Sequence, residues 1–184
     1  MSLRVIAGKA RGRTLKSVPG DTTRPVTDRV KEALFNILAG DVIDSTWWDL
    51  FGGTGAIGIE ALSRGAAFVR FSDLNRLPVE TIKTNLQTVG FTQAEVRRGD
   101  AFAMLSAPPD RTFDYIYIAP PQYKEMWLKA LQLVDANPGW LSDGAWVIVQ
   151  IHPVEYTPVT LTHLTLFDER KYGSTLLLFY EKNE

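Results

Sequence analysis

The sequence predicts an α/β protein: a seven-stranded, mostly parallel sheet with helices on both faces, an antiparallel C-terminal strand, and a basic β-hairpin at the N-terminus. Three observations carry this reading. Strand-like apolar runs alternate with helical patterns through the middle of the chain, as a doubly wound parallel sheet requires. The run Trp48-Asp49-Leu50-Phe51 stops at Gly52-Gly53-Thr54-Gly55, and a helical pattern begins at once, giving a strand, a ligand loop and a helix N-terminus. Three successive strand ends also carry an acid: Asp49, Asp73 and Asp100.

Residues 3–8 and 13–16 flank a turn at 9–12 and read as a hairpin carrying basic side chains. Pro19-Gly20 and Arg24-Pro25 mark an irregular segment. Thr27 then serves as the N-cap of a helix whose apolar residues Val30, Ala33, Leu34, Ile37 and Leu38 share one face. The first parallel strand covers 46–51 and its helix 54–64, with Ile57, Ala61 and Leu62 as the buried stripe and Gly65 ending it. A strand at 68–72 precedes a helix at 77–89, where Pro78 is tolerated in the first turn and Gly90 stops the helix. A strand at 94–98, a short helix at 101–105, a strand at 113–118, a helix at 123–134 and a strand at 145–151 follow. Segments 160–167 and 175–180 close the chain. Their connection around Tyr172-Gly173 is too short for a helical crossover, so they pair antiparallel.

With 184 residues and 45% hydrophobic content, the chain suits one well-buried domain spanning 1–184, with residues 1–25 as a basic arm. The absence of cysteine excludes disulfides, thiolate metal sites and cysteine nucleophiles. His152 and His163 have no acidic cluster near them in sequence, so no metal is expected. No apolar run approaches a membrane span and no signal-peptide core follows the basic start, so a cytoplasmic monomer without membrane contact is expected. Net charge is −1 but unevenly spread: residues 1–36 hold eight Lys and Arg (Arg4, Lys9, Arg11, Arg13, Lys16, Arg24, Arg29, Lys31) against three acids. A basic arm on an acidic body suits a protein that holds a polyanion at one face and a cationic ligand at another; a merely solvated N-terminus is the plainer alternative.

The glycine loop also spells G-x-G-x-x-G through Gly53, Gly55 and Gly58, the pattern of a dinucleotide site. A pyrophosphate wants bare N–H groups and a positive helix end, and a neighbouring carboxylate repels it. Three strand-end acids instead suit a ligand rich in donors and positive charge. S-adenosylmethionine is one, with an ammonium, a sulfonium, two ribose hydroxyls and an adenine amine. The alternative for each acid taken singly is a helix cap or a solvated side chain. The strand at 113–118 ends in Ala119-Pro120-Pro121-Gln122-Tyr123. Two prolines, having no N–H, make a rigid loop whose carbonyls can accept from an amine, and Tyr123 can stack on a base.

Four stretches together resemble one family. They are Arg4-Val5-Ile6-Ala7-Gly8-Lys9 with Arg11-Gly12-Arg13; Thr23-Arg24-Pro25-Val26-Thr27-Asp28-Arg29-Val30-Lys31-Glu32-Ala33-Leu34-Phe35-Asn36; Asp49 to Gly55 leading into Glu60-Ala61-Leu62-Ser63-Arg64-Gly65-Ala66; and Lys171-Tyr172-Gly173-Ser174-Thr175. Nearly end to end, the chain resembles the bacterial methyltransferases that modify the exocyclic N2 of a guanine in small-subunit ribosomal RNA. The resemblance implies a Rossmann-like class I methyltransferase using S-adenosylmethionine and acting on ribosomal RNA or a small-subunit assembly intermediate. It implies cofactor binding by Asp49, Phe51, Gly52, Gly53, Thr54, Gly55, Asp73, Leu74, Asp100 and Ala101, with Asp73 on the ribose and Asp100 and Ala101 at the adenine. It also implies a catalytic loop of Ala119, Pro120, Pro121, Gln122 and Tyr123, and the RNA-binding set expected with it is Arg4, Lys9, Arg11, Arg13, Lys16, Arg24 and Arg29. The family's loop reads Asp or Asn, Pro, Pro, aromatic; this chain has Ala119 in the first slot and Gln122 inserted before Tyr123. An acceptor for one amine N–H is thereby missing, while the Pro120 carbonyl accepts the other. Two alternatives follow: a catalytically impaired relative that binds RNA and cofactor, or a methyltransferase for another nucleic-acid or small-molecule amine.

Overall fold

The computed structural model describes residues 3–20, 26–122 and 125–184. Its strands, in sheet order, are β5 (Ala94–Arg98), β4 (Phe68–Asp73), β3 (Thr46–Asp49), β6 (Phe113–Ile118), β7 (Leu141–Ile151), β9 (Thr175–Lys182) and β8 (Leu164–Tyr172), with a separate two-stranded hairpin of β1 (Leu3–Arg4) and β2 (Thr14–Leu15). The residues group into two compact units, Met1–Gly99 and Asp100–Glu184.

In the first unit, β1 (Leu3–Arg4) and β2 (Thr14–Leu15) pair antiparallel, Leu3 opposite Leu15. The strands are shorter than the sequence pattern suggests because the N–H groups of Ile6 and Ala7 donate to the Glu60 carboxylate instead of to a strand. Helix α1 (Asp28–Leu38) starts where expected, with the Thr27 hydroxyl accepting from the Val30 N–H at 3.2 Å. Its buried face is rotated from the expected one. Lys31 and Phe35 are inside with Val30, Leu34 and Leu38, whereas Ala33 and Ile37 are half-buried. Phe35 stacks on Trp47, and Lys31 reaches Glu60.

Strands β3 (Thr46–Asp49), β4 (Phe68–Asp73) and β5 (Ala94–Arg98) run parallel, with Asp49 level with Phe71 and Asp73 level with Arg98. Helix α2 (Ala56–Ser63) follows β3, and α3 (Arg76–Val89) follows β4. Every residue of α2 is buried, so it has no solvent stripe and the expected three-residue face understates its packing. Gly58 explains how close this packing is: a Cβ there would lie 2.3 Å from the Phe71 ring.

The second unit begins with α4 (Ala101–Ser106), then β6 (Phe113–Ile118), α5 (Met126–Ala136), β7 (Leu141–Ile151), β8 (Leu164–Tyr172) and β9 (Thr175–Lys182). The helix expected from Tyr123 starts at Met126, and Tyr123 itself lies outside the described residues. Strand β7 is longer than expected because Leu141 already pairs with Phe113, before an irregularity in register ahead of the Tyr115–Trp146 pair. Strands β8 and β9 extend to the turn, Tyr172 opposite Thr175, whereas residues 160–163 are not strand. There the Asp135 carboxylate accepts from the N–H groups of Thr162, His163 and Leu164, so this backbone bonds to a helix side chain. Among the described residues, no helix is long and apolar enough to cross a membrane.

Candidate active site and its basic arm

The glycine loop runs from the end of β3 into α2 and is hydrogen-bonded to the end of β4. The Gly52 N–H donates to the Ser72 carbonyl at 2.7 Å and the Gly55 N–H to the Gly52 carbonyl at 2.8 Å, closing a tight turn. Gly53 and Gly55 have φ of +57° and +83°, a conformation costly for residues with a Cβ. The Ser72 hydroxyl donates to the Leu50 carbonyl and accepts from the Trp48 indole N–H, bracing the same corner. Space beside Gly53 is open, since a Cβ there would meet nothing within 4 Å.

Two expected cofactor acids meet at this loop. Asp73 accepts from the Gly53 N–H at 3.1 Å through one oxygen and from the Asn75 N–H at 3.1 Å through the other. Asp49 is buried, 2% exposed, and the Gly58 N–H donates to it at 3.3 Å. Burial pushes the Asp49 carboxyl up to about 8; the Gly58 hydrogen bond offsets part of this, and the negative charge of Asp73 adds to it. A carboxyl in that state gains from any cationic group brought beside it. Phe51 and Thr54 are half-buried, Leu74 is 59% exposed, and Leu77 beyond it is also exposed. The third glycine of the G-x-G-x-x-G spacing, Gly58, is thus a packing requirement against Phe71 rather than a phosphate contact.

In the second unit, Asp100 is exposed and accepts from the Phe102 N–H at 3.1 Å as the N-cap of α4. Ala101 is buried beside it. Ala119 and Pro120 are half-buried at the end of β6; Pro121 and Gln122 are exposed.

The arm is docked rather than loose. Leu3, Val5, Ala10, Leu15 and Val18 are buried, while Arg4, Lys9, Arg11, Arg13 and Lys16 are exposed. Two of these cations have intramolecular partners: Arg4 donates to Asp28 at 3.0 Å and Arg13 to the Thr88 carbonyl near the end of α3. Arg29 is exposed on α1, and Arg24 lies outside the described residues. What holds the arm escaped the sequence reading. Glu60 is fully buried and accepts from Ile6 N–H (2.9 Å), Ala7 N–H (3.1 Å) and Arg64 Nε (2.8 Å), with Lys31 Nζ at 3.3 Å. The Ala10 N–H donates to the Ser63 hydroxyl and the Lys9 N–H to the Ser63 carbonyl; Gly8 allows that approach, since a Cβ there would lie 1.9 Å from this carbonyl. A lone carboxylate in the otherwise apolar stretch 56–62 was the available signal for Glu60.

The family described as Conserved hypothetical protein 95 matches residues 3–181. The Ribosomal RNA small subunit methyltransferase D of Escherichia coli is 32% identical over 180 residues, covering 98% of this chain and 90% of that protein. The chain belongs to this family. YlbH of Bacillus subtilis is 41% identical over 184 residues, covering 98% of this chain and 99% of the relative. The solved structure of yhhF from Escherichia coli superimposes with a TM-score of 0.88 at 31% identity, covering 99% of this chain and 98% of that one. The chain accordingly has the class I methyltransferase fold expected from its sequence, with a mostly parallel seven-stranded sheet ending in antiparallel β8 and β9. By family it is a methyltransferase.

Proposed function

We propose that this protein transfers the methyl group of S-adenosylmethionine to the exocyclic N2 amine of a guanine in small-subunit ribosomal RNA, its two units acting as one methyltransferase domain in the cytoplasm. The observation that carries the reading is the pair Asp49 and Asp73 around the open backbone at Gly53, in a chain whose relative is a small-subunit ribosomal RNA methyltransferase. The residues fit the cofactor chemically. A carboxyl raised to about 8 by burial ionises readily only beside positive charge, which a dinucleotide pyrophosphate does not bring.

When bound, S-adenosylmethionine supplies an electrophilic methyl group on a sulfonium. The chain does the rest. Asp73 accepts from the ribose hydroxyls, Asp49 ionises toward the positive end, and Phe51, Thr54, Leu74, Asp100 and Ala101 complete the cofactor contacts. Lys9, Arg11, Lys16, Arg24 and Arg29, with Arg4 and Arg13, contact RNA phosphates. A guanine amine is a weak nucleophile because its lone pair is delocalised into the ring. The Pro120 carbonyl accepts one amine N–H, and Gln122 takes the acceptor role that Ala119 lacks, while Tyr123 stacks on the extruded base. Holding the amine in line with the methyl group lowers the barrier by several kcal/mol.

Incubation with labelled cofactor and unmodified small ribosomal subunits, followed by mapping of the label to a guanine N2, tests the reaction. Gln122→Ala lowers single-turnover transfer by ~10-fold or more and leaves cofactor affinity unchanged. Transfer that is absent in the wild type but appears in Ala119→Asn would show that the loop as it stands is inactive and overturn the role given to Gln122.

A further inference from the structure

The arm and the glycine loop share one fully buried side chain, Asn85 of α3. Its Oδ1 accepts from the Lys16 N–H at 2.8 Å, and its Nδ2 donates to the Lys16 carbonyl at 3.0 Å and to the Thr54 carbonyl at 2.9 Å. The orientation of the amide follows from chemistry: the Lys16 N–H can only donate, so Oδ1 must face it. Both N–H bonds of the amide are used, one on the arm and one on the glycine loop. Full satisfaction of this one buried amide therefore draws together two segments far apart in sequence, 69 and 31 residues from Asn85. The arm is tied a second time through Glu60 and Ser63 to α2, the helix that begins at the glycine loop.

We infer that Asn85 is a positioning residue that registers the phosphate-binding arm against the cofactor loop, so that RNA held by the arm presents its base at a fixed distance from the methyl group. The inference rests on the proposed RNA methyltransferase activity. Phosphate contacts are long-ranged and tolerant of position, whereas in-line transfer is not; a misplacement of about 1 Å can cost on the order of 10²-fold in rate. Loss of Asn85 therefore separates binding from chemistry.

The test uses the full chain, unmodified small ribosomal subunits and S-adenosylhomocysteine. At saturating cofactor and subunits, Asn85→Ala lowers the single-turnover rate by ~10-fold or more. Its affinities for S-adenosylhomocysteine and for subunits, and the salt dependence of subunit binding, stay at wild-type values. A purely structural role would instead lower the melting temperature and the active fraction while leaving the rate per folded molecule unchanged. An unimpaired rate at saturation overturns the inference, as does a loss that appears only below saturation, since the arm would then be a tether alone. Hydrogen exchange of the wild type provides a readout that needs no variant: S-adenosylhomocysteine slows exchange of the Lys16 amide, and an unchanged rate overturns the link. A wild type that binds S-adenosylhomocysteine but transfers no methyl group to subunits overturns the proposed function. Wild-type transfer with an equally active Asn85→Ala overturns only the role of Asn85.

Discussion

Glu60 and Asp49 are carboxylates of the same unit, both withdrawn from solvent, and they are treated in opposite ways. Glu60 meets two backbone N–H groups, a guanidinium and an ammonium. Asp49 meets one N–H at 3.3 Å and the field of a second carboxylate. The first is a finished anchor, its charge matched on every side by its own chain. The second is left short of positive charge at the mouth of an open loop, and that deficit is what a cationic ligand relieves. Burial alone therefore does not distinguish a structural acid from a functional one; the count of donors facing it does.

Removing the anchor gives the largest expected effect. Glu60→Gln leaves Lys31 buried without its counter-charge and costs ~3–5 kcal/mol of stability, read as a lower urea midpoint, because breaking one side of a buried pair strands the other. Asp49→Asn makes the contrast: the same change of type leaves stability unchanged or raises it, and abolishes most cofactor binding. If both variants lose similar stability, the division between anchor and ligand site fails.

Asp73→Ala weakens S-adenosylmethionine binding by ~1.5–3 kcal/mol in titration calorimetry, through lost hydrogen bonds to a charged acceptor. Unchanged affinity, or a preference for a dinucleotide, would remove the cofactor from this site.

A pH series sharpens the contrast further. The folded-state carboxyl of Asp49 titrates at about 8, well above an unfolded aspartate, so the ligand-free fold binds the proton more tightly than the unfolded chain. Its stabilising contribution is complete below the unfolded value of about 4 and is lost as pH rises through about 8. Denaturation midpoints of the free protein should fall across that window, and Asp49→Asn should flatten the fall. Binding of a cationic cofactor runs the other way: it releases a proton at pH 7, and affinity rises as pH approaches 8. Calorimetry in buffers of different ionisation enthalpy measures that proton.

The smallest effects belong to the exposed cations. Reversing Lys9, Arg11 and Lys16 flattens the log–log salt slope of RNA binding by roughly 0.7–0.9 per contact and leaves cofactor affinity intact. Reversing Arg4 or Arg13, which already hold Asp28 and Thr88, changes the slope less and stability more. Equal slopes for the two groups would mean that the intramolecular partners do not compete with phosphate.

The sequence by itself determined the alternation of strands and helices, the glycine loop opening after Asp49, the Thr27 cap and the antiparallel ending, because each depends on residues close together in the chain; the Asp73 bond to Gly53, from twenty residues on, belongs to the tertiary structure. Local periodicity and turn chemistry are enough for those. It could not determine which of the arm's cations are free, since Lys31 is inside and Arg4 and Arg13 are engaged by residues 24 and 75 positions away. It misjudged the buried face of α1, because the helix turns Lys31 toward Glu60 at the cost of Ala33 and Ile37. It left a helix cap and a ligand acid as alternatives for Asp100, and the structure shows that Asp100 caps α4 through the Phe102 N–H. Only the tertiary structure decided that a hairpin of two-residue strands is docked on the helices, because the bonds that hold it come from Glu60, Ser63 and Asn85, more than fifty residues on. Long-range pairings of this kind leave no period in the sequence. They arise when buried backbone groups must find partners and the nearest available ones belong to distant helices.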